Sequence, residues 1–159
     1  MKRNDEVAAA YILRNPQNMK ALPKDMQHSK DFARSLLSHG VMAARAFVYA
    51  PVEIQQDKIL MEQALTLYPH LLAKMQGGLE KDADFIFSIA EEKPEILAFA
   101  NHFSHDKDFI RKAAGISMEA GRMIHGELMQ DRAFLKELFT INSEFKNYMH
   151  WDILIDPAF

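Results

Sequence analysis

No cysteine occurs in the 159 residues. Disulfide staples and thiolate zinc sites are excluded, and a reducing compartment is compatible with the chain. Strand signals are scarce: there are no alternating Val/Ile/Thr runs and no Asn-Gly hairpin turn. Neither sign of charge dominates, and the formal net charge is −3. No Lys/Arg stripe alternates with aromatics, so binding to a nucleic-acid backbone has no electrostatic support. No apolar run approaches the length of a membrane span. The opening Met1-Lys2-Arg3-Asn4-Asp5-Glu6 lacks the apolar core of a signal peptide. Motifs that grip phosphates or expose a nucleophile are missing too: there is no G-x-G-x-x-G, G-x-x-x-x-G-K-S/T or G-x-S-x-G. These absences point to a cytoplasmic, all-α protein with neither nucleic acid nor membrane as partner.

What is present is a period. Val7, Phe32, Leu60, Phe85, Phe109 and Phe134 follow one another at intervals of 25, 28, 25, 24 and 25 residues. An aspartate precedes each anchor by one to three positions: Asp5, Asp31, Asp57, Asp84, Asp108 and Asp131. Such an aspartate can accept hydrogen bonds from the free N–H groups of a helix's first turn. Pro16, Pro69 and Pro94 each lie 9 residues after Val7, Leu60 and Phe85. A proline there stops one helix and opens the next. Fixed spacing of this kind marks a repeat architecture. The pattern predicts about six tandem helical-hairpin units of ~25 residues over residues 1–150, forming a compact α-solenoid-like domain. Helices should start near the six aspartates. Phe32, Leu36, Leu60, Phe85, Ile89, Phe109, Ala113, Phe134 and Leu138 should be buried, and 48% apolar residues suffice for that core.

Two features stand beside the period. Ten methionines occur, with Met19, Met42, Met61, Met75, Met118 and Met123 on or beside the helical stripes. They fill gaps in a core of short helices or form an adaptable recognition surface. The segment 151–159, with Trp151, Ile153, Leu154, Ile155 and Phe159, breaks the pattern. It reads as an extended apolar tail that caps the last unit, or as a segment that docks on a partner. The unit starts Leu79-Glu80-Lys81-Asp82-Ala83-Asp84-Phe85-Ile86 and Asp106-Lys107-Asp108-Phe109-Ile110-Arg111-Lys112-Ala113-Ala114 resemble short tandem helical repeats of a bacterial and protist family of unknown function. Members of that family occur in some secreted effectors of intracellular bacteria. The resemblance covers about a quarter of the chain at these two starts. It implies a scaffold with no established reaction, bacterial in origin and delivered to a host cytoplasm if it is an effector.

Seven histidines are the natural place to seek chemistry. His102, His105, Asp106 and Asp108 form an H-x-x-H-D-x-D run that could hold a divalent metal. However, Asp106 and Asp108 stand where the period demands helix-starting carboxylates, and the histidines stand in a turn between units. His125-Gly126-Glu127 lacks the H-E-x-x-H spacing that puts two imidazoles on one helical face. The acid pairs Asp5-Glu6, Glu91-Glu92 and Glu80 with Asp82 fall at helix starts and turns. Gly77-Gly78 reads as a helix stop. No catalytic, cofactor or metal residue is assigned. The first functional reading is a module that binds another protein. The second is a small metal- or acid/base-dependent enzyme using the His102, His105, Asp106 and Asp108 run. The third is a structural unit that oligomerises through the C-terminal tail.

Overall fold

The computed structural model describes residues 2–157, and helices are the only regular elements among them. None of these helices is long and apolar enough to cross a membrane. The chain forms two compact lobes, Met1–Phe85 and Ile86–Phe159. Six α-helices recur at the expected interval: Lys2–Arg14, Lys30–Leu37, Lys58–Leu67, Ala83–Ala90, Lys107–Ile116 and Arg132–Ile141. Each leads into a second helix. Five of these are 3₁₀ helices, at Pro16–Ala21, Pro69–Lys74, Pro94–Phe99, Met118–Met123 and Ser143–Tyr148. The remaining one, Val41–Ala46, is α. Pro16, Pro69 and Pro94 do open their second helices. Where proline is missing, Ser117 and Asn142 cap instead, accepting from the N–H groups of Glu119 and Glu144.

A third, very short helix closes each segment: Lys24–Gln27, Val52–Gln55, Leu79–Lys81, Asn101–Phe103, Gly126–Met129 and Trp151–Leu154. The segments are therefore triplets of helices rather than the expected hairpins. Three or four residues make about one turn, too short to show a periodicity.

The start of each main helix corrects the reading of the aspartates. The capping residue lies three positions before the anchor each time. Ser29, Asp57, Asp82, Asp106 and Asp131 accept from the N–H groups of Phe32, Leu60, Phe85, Phe109 and Phe134 at 2.9–3.1 Å. Asp31, Asp84 and Asp108 sit inside the first turn, where a carboxylate favours the helix dipole. Asp31 and Asp108 also pair with Arg34 and Arg111 three residues on. The first helix differs, starting at Lys2, three residues ahead of Asp5.

All nine expected core residues are buried. Two aromatic anchors, Phe85 and Phe134, lie under cations of the preceding main helix. Lys58 sits 5.9 Å above the Phe85 ring, and Lys107 and Arg111 sit 5.3 and 5.4 Å from the Phe134 ring. Phe109 stacks on Phe87 at 4.6 Å and on Phe103 at 4.1 Å. Val7, the anchor on the first of these helices, is 67% exposed. Met19, Met61, Met75 and Met123 are buried while Met42 is exposed, so core filling accounts for most methionines singled out above.

Polar groups enter the core at one register position. Gln55, Glu80 and Ser104 are buried, each two residues before a capping aspartate. Gln55 Nε2 donates to the carbonyls of Phe47 and Ala50 at 3.2 and 3.0 Å, and its Oε1 accepts from the Gln76 N–H at 2.8 Å. The Glu80 carboxylate accepts from the Gly78 N–H at 2.8 Å. Gly77 and Gly78 are more than a helix stop. A Cβ on Gly77 would lie 2.6 Å from the Gln55 carbonyl oxygen, and Gly78 has φ +104°. Gly77 has no room for a side chain, so the backbone can come close enough to supply the buried Gln55 with its partner, while the positive φ of Gly78 strains any side chain placed there.

The C-terminal segment is not an extended tail. Trp151–Leu154 is helical and stands where the third short helix of a segment belongs. Asp156 pairs with Arg132 just as Asp131 pairs with Lys107. In sequence, Asp156-Pro157-Ala158-Phe159 repeats the spacing of Asp131-Arg132-Ala133-Phe134. Of the five apolar residues expected to pack, Ile153 is buried at 7% exposure, whereas Trp151, Leu154 and Ile155 are exposed at 71%, 41% and 63%. Phe159 lies outside the described residues.

Candidate functional site

The histidine and acid run dissolves into separate roles. His102 and His105 are exposed. Asp106 Oδ1 is spent on the Phe109 N–H at 2.9 Å. Asp108 points outward, its side chain 94% exposed, and pairs with Arg111 at 2.7 Å. His105 meets His125 edge-on, ring centroids 5.9 Å apart, and His125 Nδ1 lies 2.6 Å from the Met123 carbonyl oxygen. Among the described residues, no three His, Asp or Glu side chains are grouped to hold a metal ion.

The shifted acids are the capping Asp57, Asp82 and Asp131 and the ion-paired Glu137. Lys30, Lys58 and Lys107, by hydrogen bonds to Asp57, Asp82 and Asp131, hold these carboxyls below the ordinary 3.8. The N–H groups of Leu60, Phe85 and Phe134 add to that effect. Arg111 lowers Glu137 in the same way and is itself raised. Stabilised charge is the opposite of what a proton-transferring acid needs. These groups hold helices in place.

A different constellation lies in the N-terminal lobe. The second helices there end in a cation: Lys20, Arg45 and Lys74. They fall 13, 13 and 14 residues after Val7, Phe32 and Leu60. A cation in a last turn suits the helix dipole, so each is locally reasonable. Packing of the helices 16–21, 41–49 and 69–74 then brings them to one surface. A cavity of about 170 Å³ opens there, lined by Asn15, Pro16, Gln17, Arg45, Val48, Tyr49, Tyr68 and Lys74. The Arg45 guanidinium lies 5.8 Å from the Tyr68 ring, and Lys20 lies 5.0 Å from the Tyr49 ring. Tyr68 stacks in turn on His70 at 5.3 Å. No acidic residue lines the cavity. The ion pairs found among the described residues include none with Lys20, Arg45 or Lys74.

The sequence reading missed this site. Its signal was the recurring cation at the end of the second helix, a position that search for alternating Lys/Arg and aromatics passes over. A second, apolar groove lies in the same lobe. It is about 340 Å³, lined by Asn4, Val7, Ala8, Tyr11, Leu22, Pro23 and Met26, and contains the uncovered anchor Val7.

No family model matches the chain, and no curated protein or solved structure matches it either.

Proposed function

We propose that this chain is a protein–protein interaction module, built as an α-solenoid of tandem helical repeats. The recurring cap, cation and anchor support the repeat part of the reading. The resemblance of the unit starts to helical repeats of secreted effectors fits a scaffold that acts by contact. The observation that carries the functional part is the cavity of Arg45, Lys74, Tyr49 and Tyr68. Arginine and tyrosine are enriched among the residues that dominate the binding energy of protein interfaces. The tyrosines are half-buried and Arg45 is exposed, its Nη1 meeting the Met42 sulfur at 3.8 Å and its charge unmatched by a carboxylate among the described residues.

The test is capture of partners from lysate by the full chain, with proteins identified by mass spectrometry. Arg45→Glu and Tyr68→Ala should each lose the same captured proteins that Lys112→Glu, on the other lobe, retains. Identical capture by all variants would remove this surface from the function.

A self-associating reading is favoured by one observation. Trp151, Leu154 and Ile155 lie at i, i+3 and i+4 on a short helix and are all exposed. Light scattering over a concentration series, with Trp151→Ser as control, tests it. A monomer at every concentration would exclude it.

A further inference from the structure

We infer that the cavity at Arg45 and Lys74 is a receptor for a phosphoryl group carried on a peptide side chain; the inference rests on the protein-binding reading above. Three features of the site point there. The first is charge. Arg45 and Lys74 line the cavity and Lys20 lies over the ring of Tyr49, and none of them pairs with a carboxylate among the described residues. Lys30, Arg34 and Lys58 of the same lobe are each neutralised by an aspartate, whereas Arg14, Lys24 and Lys81 share the lack of an ion pair among the described residues but do not line the cavity. A chain of net charge −3 thus places two cations without a carboxylate partner in the lining of one concavity, with a third, Lys20, over the ring of Tyr49. Two lining cations match a dianion better than the single charge of a carboxylate, and a guanidinium offers parallel N–H donors to two oxygens of a phosphoryl group.

The second feature is size. At about 170 Å³ the cavity is well below the roughly 300–1,000 Å³ of pockets that enclose whole small molecules. It seats one compact group and leaves the remainder of its carrier outside. A nucleotide base and sugar would have no enclosure here. The third is the lining. Tyr49 and Tyr68 supply aromatic walls and phenol donors, and Asn15 and Gln17 supply polar side chains at the opposite edge. The Asn15 side-chain oxygen Oδ1 already accepts from the Gln17 N–H at 3.0 Å, which leaves the Asn15 side chain its amide donors. The cavity therefore presents donors and cations with no acceptor carboxylate. That arrangement suits an oxyanion and disfavours a cation or an amine.

The chemistry could be met by free phosphate or by a phosphorylated side chain. The aromatic walls favour the second, because they are of use only to a ligand with a carbon frame beyond the phosphoryl oxygens. The experiment is a nuclear magnetic resonance titration of the full chain, following the Arg45 side-chain N–H and the Tyr49 and Tyr68 rings. The probes are phenyl phosphate, inorganic phosphate, acetate and a mixed-sequence single-stranded oligonucleotide, all at fixed ionic strength. Phenyl phosphate should give saturable shifts at these three residues, binding more tightly than inorganic phosphate and far more tightly than acetate. Arg45→Gln and Lys74→Gln should each weaken it about tenfold, the scale of losing one charge-assisted hydrogen bond. Both variants should keep the wild-type thermal midpoint. Lys74 is exposed at the end of its helix, so Lys74→Gln carries the test if Arg45→Gln does not fold.

Absence of saturable shifts with phenyl phosphate would overturn the inference, as would shifts that survive in both variants. Acetate binding as tightly as phosphate would replace the phosphoryl group with a carboxylate. Equal affinity for inorganic and phenyl phosphate would remove the side-chain carrier. Tighter binding of the oligonucleotide would replace the peptide with a nucleic acid. Capture of proteins that depends on Arg45, together with no phosphate binding, would sink this inference and leave the protein-binding reading standing. The converse result would sink that reading and leave an oxyanion site.

Discussion

Gly121 shows how little room single residues have in this fold. It is buried in the helix Met118–Met123, and a Cβ placed on it would stand 2.6 Å from Cγ of the Tyr148 ring. The ring root cannot swing away as a flexible chain end could, so Gly121→Ala should destabilise by about 1–3 kcal/mol through overpacking. Urea denaturation measures it, and the double change with Tyr148→Ala should recover part of the loss. A neutral Gly121→Ala would mean the two helices separate without cost. Phe109 is the reverse case, a ring 4% exposed between Phe87 and Phe103. Phe109→Ala should cost about 3–5 kcal/mol as a large-to-small change in a packed core. A loss under about 1 kcal/mol in the same denaturation experiment would show that the ring is not a core anchor.

At the scale of the element, each main helix after the first is anchored by one side chain that caps it. At Asp57, Asp82 and Asp131 that same side chain is gripped by a lysine at the start of the helix before. Because these three carboxyls are held below 3.8 in the folded chain, their contribution is fully present above that value. As the pH falls past it the unfolded chain takes up protons first, so stability drains away and is exhausted once the folded carboxyls are protonated as well. Denaturation midpoints should accordingly stay level on account of these groups between about pH 5 and 7 and fall below about pH 4. Asparagine also caps helices well, so the triple variant Asp57→Asn, Asp82→Asn, Asp131→Asn keeps the caps and loses the titration. Its acid-side slope should be shallower than that of the parent. An unchanged slope would place the acid sensitivity in other groups.

For the molecule as a whole, the C-terminal segment tests whether the succession of helices continues to its end. Ile153 is buried, and Asp156 binds Arg132 as the capping aspartates bind their lysines. Removing residues 151–159 should lower the thermal midpoint. Point changes should divide it: Ile153→Ala should cost about 2–5 kcal/mol, while Trp151→Ser should stay within about 0.5 kcal/mol as an exposed position. Equal costs at both would show that the segment packs as a continuous apolar cap, with Trp151 covered.

Sequence alone determined that this is an all-helical chain with a main helix about every 25 residues. It also picked out nine of the side chains that enter the core. The reason is that an aromatic or leucine at the third helical position, with apolar partners four and five residues on, has one face that must leave water. The three prolines could be placed for the same kind of local reason. Tertiary structure decided the rest. Asp82 and Asp84 both precede the anchor Phe85, and only the extended backbone of Asp82, φ −94° and ψ 97°, makes it the cap. The third helices are shorter than any periodicity can register. Glu80 is an acid in a turn by sequence, yet it is buried because Gly78 turns its N–H onto the carboxylate. The candidate site has the least sequence signature of all. Arg45, Tyr68 and Lys74 come from two successive segments, joined at the cavity by Asn15 and Gln17 from a third. Each is ordinary where it stands, and only the lateral packing of three second helices makes them one surface.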